Sequence, residues 1–365
     1  MPDFSKNPQD FSRILLQWNR EKNFRQMPWK GEADPYKIWL SEIILQQTRV
    51  EQGLGYYNRF IKIFPDIHKL AKAPDEKVFK LWEGLGYYTR CRNLIASARF
   101  ISKELNGKFP ATYESIKALK GVGPYTAAAI SSFAFNLPHA VVDGNVFRVL
   151  ARIFGIFIPA DSTDGKKKFT GLANELLDKK QAGLYNQAIM DFGAVICKPV
   201  PFCNQCSFKK NCYAFLNNKI NELPVKEKRV RIKKRWFYYL VIDYKGKTAI
   251  QQRTAKDIWQ QLYEFPGIEA DKEMGVKNIL SSAEKKGILP QNDYDVVAVS
   301  QLFKQQLSHQ LIAGQFIAIK LKKKVSSGNN WVWVEKKELK KYAFPKIINT
   351  WLLKKPGKVD LEFVA

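Results

Sequence analysis

Two periodicities divide the chain. Up to about residue 216, apolar residues recur with the 3.6-residue period of helices; beyond 236 they alternate, or run in short blocks bounded by turn residues, as strands do. The strongest helical stripe is Tyr36, Trp39, Leu40, Ile43 and Ile44, spaced i, i+3, i+4, i+7, i+8 behind an Asp34-Pro35 helix start. Ile38 and Leu45 occupy the opposite side, so this helix is apolar nearly all round and is predicted to be buried. A shorter stripe surrounds Ile14, Leu15 and Trp18. Residues 92–120 hold two helical patterns, broken by Asn106-Gly107 and Phe109-Pro110, the second capped by Thr112 and closed at Gly121. Pro124 opens an Ala-rich helix over 124–135, and helical patterns continue through 172–196. The period then changes. Residues 236–242, a Lys245-Gly246 turn and 248–252 predict a hairpin, followed by strands at 294–300, 315–322 and 331–334 and a final helix near 336–354.

Charge sharpens this picture. Lys and Arg number 60 against 34 Asp and Glu, a net charge of +26. Solubility alone asks for a magnitude of only about 2–8, so a polyanionic partner is the economical explanation. Residues 217–235 are charged with little apolar periodicity and are expected to be a basic linker between an all-α region and an α+β domain. The N-terminus lacks the apolar stretch of a signal peptide, and no apolar run approaches the roughly 18 residues of a membrane span. A cytoplasmic protein with reduced cysteines is expected.

Several residues carry candidate chemistry. Gly121-Val-Gly-Pro-Tyr125 reads as a helix–hairpin–helix turn, with two glycines free to take positive φ and backbone N–H groups at a helix start, a ready phosphate site; the alternative is an ordinary helical corner. Glu42 is the lone carboxylate in the buried helix. It is either a general acid with a raised pKa or one half of an ion pair. Asp143 follows an apolar run and precedes Gly144 and Asn145, which suits a helix cap as well as catalysis. Gln46, Gln47 and Thr48 are of the type that reads base edges, or a solvated helix end. Gly-Leu-Gly-Tyr-Tyr occurs at 53–57 and again at 84–88, each suited to a loop wedging rings against bases or to helix-end packing. Cys197, Cys203, Cys206 and Cys212 lie within 16 residues with no histidine nearby, which indicates a zinc site or an iron–sulfur cluster. Cys91 is expected to be a small buried residue.

Taken together, these motifs resemble the helix–hairpin–helix DNA glycosylases, and within them the adenine DNA glycosylases of the MutY family. The carrying residues are Met-Pro-Trp-Lys at 27–30, Trp-Leu-Ser-Glu-Ile-Ile-Leu-Gln-Gln-Thr at 39–48, Leu-Trp-Glu-Gly-Leu-Gly-Tyr-Tyr at 81–88, the 121–126 hairpin, Val-Asp-Gly-Asn at 142–145, Asn-Gln-Ala-Ile-Met-Asp at 186–191, the cysteine loop, Leu-Tyr-Glu-Phe-Pro-Gly at 262–267 and Leu-Ser-His at 307–309. They span nearly the whole chain. The resemblance implies a helical catalytic region over 1–216, with a helix–hairpin–helix subdomain at about 30–135 and an iron–sulfur subdomain from 1–29 and 136–216. The 217–235 linker and a Nudix-like α+β lesion-recognition domain over 236–365 would follow. It implies a base excision repair enzyme that hydrolyses the glycosidic bond of adenine opposite 8-oxoguanine or guanine in duplex DNA, and that works as a monomer.

By the same resemblance Glu42 is the acid, Asp143 stabilises the positive sugar, Asn145 positions it, and Tyr125 stands where lyase relatives carry a lysine. Arg25, Met27, Trp29, Lys30 and Gln187 would line the adenine pocket. Gln47, Thr48, Leu85, Tyr87, Gly121 and Gly123 would meet the duplex, Ser308 and His309 the damaged base, and the four cysteines would hold a [4Fe–4S] cluster. Three positions depart from the family pattern: five rather than six residues between Cys197 and Cys203, Met-Pro-Trp-Lys in place of Leu-Pro-Trp-Arg, and Leu307 in place of an aromatic. No carboxylate run of the Nudix hydrolase type occurs in 236–365. A glycosylase/lyase for oxidised pyrimidines, which would want a lysine at 125, and a non-catalytic iron–sulfur DNA-binding protein are the rival readings.

Overall fold

A computed structural model describes residue 4 and residues 7–227, 232–325 and 330–354. Its helices are α1 (Pro8–Lys22), α2 (Pro35–Leu45), α3 (Val50–Ile63), α4 (Ile67–Ala71), α5 (Asp75–Trp82), α6 (Tyr88–Glu104), α7 (Tyr113–Lys117), α8 (Pro124–Phe135), α9 (Gly144–Phe154), α10 (Thr163–Leu176), α11 (Ala182–Val195), α12 (Tyr213–Leu216), α13 (Val276–Lys285) and α14 (Lys346–Leu353). The strands are β1 (Lys233–Tyr244), β2 (Lys247–Gln252), β3 (Tyr263–Glu264), β4 (Gly267–Ala270), β5 (Tyr294–Val299), β6 (Phe303–Gln306), β7 (Gln310–Leu321) and β8 (Val332–Glu335). Two compact units form. One comprises Met1–Lys72 and Arg92–Lys228, the other Ala73–Cys91 and Arg229–Ala365.

The first unit is helical. Its core gathers α1, α9, α10, α11 and the cysteine loop: Trp18 meets Phe192 edge-on at 4.9 Å, and Phe11 stacks on Phe208 at 4.7 Å. Phe208, which lies among the loop's lysines in sequence, is therefore a core residue, and the charge at the surface is left to Lys209 and Lys210. The α2 helix is buried on nearly every side, as its pattern predicts. The Asp34 carboxylate accepts from the Tyr36 N–H at 2.9 Å to cap it, and Pro35 fills the first turn. The first Gly-Leu-Gly-Tyr-Tyr lies inside α3 rather than in a loop; the second forms the turn between α5 and α6. Cys91 is fully buried.

The second unit holds a mixed sheet of order β3-β2-β1-β7-β5, with β4 also on β1, β6 on β7 and β8 on β2. Its centre is the parallel pair β1/β7, with Tyr238 opposite Gln315, covered by apolar residues of α13. Lys245 and Gly246 both take positive φ, the requirement of a tight two-residue hairpin turn. The expected helix over 336–354 is split into a 3-10 turn at Lys336–Lys341 and α14, because Pro345 forces the residue before it, Phe344, out of helical geometry. The expected linker overlaps β1, which begins at Lys233; its residues 228–231 lie outside the described ones.

Candidate active site

Glu42 sits in the last turn of α2 and is 6% exposed. Burial pushes its carboxyl up to about 7. The Tyr125 hydroxyl, which donates to it, opposes that rise, and the nearby Asp143 charge adds to it. Tyr125 is delivered by the first turn of α8, where Gly123 caps and Pro124 takes the first helical position. Burial and the two carboxylates hold the Tyr125 phenol well above its ordinary range, so it stays a donor. Asp143 is both the N-cap of α9 and a member of this cluster. One oxygen accepts from the Val146 N–H at 2.8 Å and the other from Asn145 Nδ2 at 2.9 Å. Burial raises its pKa, and these bonds together with the Arg148 charge hold it down. A capped carboxylate is therefore a pre-oriented one: the cap fixes which way its oxygens face.

Asn145 is positioned in turn by Arg148, whose Nη2 donates to Asn145 Oδ1 and to the Gly193 carbonyl, each at 2.8 Å, while its Nε donates to the Cys197 carbonyl at 2.7 Å. A side chain at Gly193 would stand 3.0 Å from the Asn145 carbonyl oxygen, so α11 approaches α9 closely only because this residue is glycine.

The Met-Pro-Trp-Lys stretch is organised by Asp191, a residue of α11 with no exposed surface. Arg25 Nη1 at 2.8 Å, Asn23 Nδ2 at 2.9 Å, Lys30 Nζ at 3.1 Å and Gln187 Nε2 at 3.1 Å all donate to it. Trp29 is buried edge-on against Tyr57 at 5.3 Å, and Met27 lies half-buried beside it in sequence. Sequence reasoning placed Arg25, Lys30 and Gln187 in one pocket but assigned Asp191 no part. Three of its four donors are more than 160 residues away in sequence, and Asp191 enters the sequence reading only as the last residue of the 186–191 motif, with no role of its own.

Of the residues expected to meet a duplex, Gly121 has φ +84 as predicted, but Gly123 has φ −92 and serves as the helix cap. An added Cβ at Gly123 would meet nothing within 4 Å, so its surface is open to approach. Gln47 is exposed with φ +53, and Thr48 follows it half-buried. Leu85 is buried, 4% exposed, so it does not offer a wedge at the surface; Tyr87, 40% exposed with φ +48, is the ring this turn presents. In the second unit the Tyr87 hydroxyl contacts Ser308 Oγ. Ser308 and His309 are exposed at the tip between β6 and β7, closed by the Leu307 N–H donating to the Gln310 carbonyl.

Cys197, Cys203, Cys206 and Cys212 line one small cavity with Phe192 and Ile196. Arg152, itself buried, points Nη1 at Cys197 Sγ, 3.7 Å away, and anchors the loop through the carbonyls of Lys198 (2.7 Å), Pro199 (2.9 Å) and Leu223 (3.1 Å). Burial pushes the Cys206 thiol up to about 12. Among the described residues no group of three or more His, Cys, Asp or Glu side chains is arranged to hold a metal ion. The donor set is all sulfur with a cation beside it, the chemistry that suits an anionic thiolate-bound cluster.

Comparison with known proteins agrees with this geometry. Residues 40–177 match a family described as HhH-GPD superfamily base excision DNA repair protein, and residues 237–354 match a NUDIX domain. An adenine DNA glycosylase of Buchnera aphidicola subsp. Baizongia pistaciae is 36% identical over 303 residues, 82% of this chain and 83% of the relative. The adenine DNA glycosylase of Homo sapiens is 41% identical over 214 residues, 56% of this chain and 39% of the relative. Among solved structures, a thermostable thymine-DNA glycosylase aligns with TM-score 0.54 at 29% identity, covering 59% of this chain and all of that one. A trapped endonuclease III–DNA covalent intermediate aligns at 0.50 and 19% identity, covering 58% of this chain and 98% of that one, a likeness of fold. No helix among the described residues is long and apolar enough to cross a membrane.

Proposed function

We propose, for a chain that belongs to the adenine DNA glycosylase family and is thus a base excision repair enzyme hydrolysing N-glycosidic bonds, that its substrate is adenine paired with 8-oxoguanine or guanine in duplex DNA. The observation that carries this is the buried cluster in which the Tyr125 hydroxyl donates to Glu42 and Asp143 is close enough for its charge to act on both, with Glu42 pushed up to about 7 and Asp143 oriented by a helix N-terminus. In this reading the adenine is extruded into the pocket of Arg25, Met27, Trp29, Lys30 and Gln187. Glu42, protonated near neutral pH, gives its proton to the ring as the bond to the sugar breaks. Asp143, whose carboxylate form is favoured by the Val146 and Asn145 bonds and the Arg148 charge, faces the positive sugar; water adds to the sugar carbon and its proton returns to a carboxylate. Division of labour between two carboxyls in different surroundings is the logic of glycoside hydrolysis. Tyr125, a phenol held neutral, offers no amine for a Schiff base, which favours base removal without strand scission.

Tyr87, Ser308 and His309 read the opposite base, and Gln47, Thr48, Gly121 and Gly123 hold the duplex. Cys197, Cys203, Cys206 and Cys212 would supply the thiolates for a [4Fe–4S] cluster. When bound it supplies iron–thiolate cross-links that hold the loop from Cys197 to Cys212. The helical region, linker and Nudix-like domain divide the work into catalysis and lesion recognition, in a cytoplasmic monomer. The test is chromatography of free base from duplexes carrying adenine opposite 8-oxoguanine, guanine or thymine. Release from the first two and little from the third is expected; equal release from all three would overturn the assignment.

A further inference from the structure

The segment Ala73–Cys91 lies within the stretch that matches the glycosylase family, yet its contacts group it with the C-terminal unit. Two side chains three residues apart, Lys80 near the end of α5 and Glu83 at its C-cap, bond directly to backbone of the C-terminal stretch. Lys80 Nζ donates to the Tyr342 carbonyl at 2.9 Å, and Glu83 Oε1 accepts from the Phe344 N–H at 2.7 Å. The two are paired with each other at 2.6 Å. A cation on a carbonyl and a carboxylate on an amide, two residues apart, reproduce what a neighbouring strand would offer that backbone. Charge-assisted bonds of this kind are about twice as strong as neutral ones.

The strap they grip is itself fixed. The Tyr263 N–H donates to the Ala343 carbonyl at 2.8 Å, the Tyr263 and Tyr342 rings meet at 4.7 Å, and Phe344 is buried against Phe265. The other end of the segment is as rigid. Trp82 Nε1 donates to the Gly86 carbonyl and the Gly84 N–H to the Tyr88 hydroxyl, each at 3.0 Å, and from this turn Tyr87 reaches Ser308.

We propose that Lys80 and Glu83 form a latch that sets where Tyr87 stands against Ser308 and His309, and so act as positioning residues for the choice of opposite base. The inference rests on the opposite-base reading above. It assigns discrimination partly to residues four to seven positions before Tyr87 that have no need to touch DNA themselves.

The experiment is single-turnover adenine release by the full-length protein from duplexes with 8-oxoguanine or guanine opposite adenine, for the wild type, Glu83→Ala, Glu83→Gln and Lys80→Met. Glu83→Ala leaves the Phe344 N–H without its charged acceptor and should cut the 8-oxoguanine-to-guanine rate ratio roughly tenfold, with the guanine rate within about twofold of wild type. Glu83→Gln retains a neutral acceptor and should keep most of the ratio. Lys80→Met should lower it even if Glu83→Ala folds poorly, and thermal melts monitor folding. An unchanged ratio in both Glu83→Ala and Lys80→Met overturns the proposal, as does an equal loss on both duplexes, which would mark a merely structural role. A wild type that shows no preference between the two duplexes would instead overturn the opposite-base reading itself.

Discussion

Replacing Glu42 by Gln tests the acid directly and leaves a second, thermodynamic signature. Gln keeps the shape and an oxygen to accept from Tyr125, but it has no proton to give. General acids contribute about 10²–10⁴ to rate, so adenine release should fall by at least about 100-fold while affinity for the same duplex is kept. The wild-type rate should fall as pH rises above about 7, because the working form of Glu42 is the protonated one. A carboxyl at about 7 in the fold and near 4.5 unfolded holds a proton that the unfolded chain has lost. The wild type therefore loses stability as pH rises from 4.5 to 7 and not beyond. Linkage puts that loss at about 1 kcal/mol by pH 5 and about 3 kcal/mol by pH 8. Gln carries no such cost, so Glu42→Gln should gain on the wild type by about 2–3 kcal/mol between pH 5 and pH 8. Urea denaturation at both pH values measures it. A gap that does not change with pH, or one that narrows, refutes the burial argument; full activity in the variant refutes the acid.

Three other outcomes follow from the same geometry. Asp143→Asn should keep the α9 cap, since Asn caps as well as Asp, and so bind a mispaired duplex while releasing adenine at least about 100-fold more slowly; Asp143→Ala should in addition lose about 1 kcal/mol by denaturation. Asp191→Ala strands Arg25 and Lys30 beside an emptied site and should destabilise the protein by about 3–5 kcal/mol in urea, with base release falling alongside. Cys206→Ser should reduce the iron content and the visible absorbance of thiolate-bound iron in the purified protein; a colourless wild type containing zinc would contradict the cluster.

What the sequence made legible was whatever local pattern decides. The α2 stripe carries its own burial, and Gly123-Pro124 carries the start of α8, both read correctly from spacing. The sequence around Asp143 suits a cap as well as a catalyst, and the structure makes the two compatible, because capping is what orients the carboxylate. Local letters failed where tertiary contacts decide. Gly-Leu-Gly-Tyr-Tyr is helix in α3 and a turn after α5: at 53–57 a Cβ on Gly53 would stand 2.7 Å from Leu45, so the helix packs there, while at 84–88 both glycines take positive φ. The partners of Asp191 and of the Lys80–Glu83 pair were not legible for the same reason, since they lie about 160 and 260 residues away. The split at Pro345 follows from the rule for residues before proline, which a single helix over 336–354 does not respect.

The central claim is that Glu42 and Asp143 remove adenine from a mispair and Tyr125 leaves the strand intact. A denaturing gel of an adenine:8-oxoguanine duplex, with and without alkali after incubation with the protein, tests it most directly. Strand cleavage at the adenine only after alkali is the predicted result. Cleavage without alkali, or an intact strand in both lanes, would contradict it.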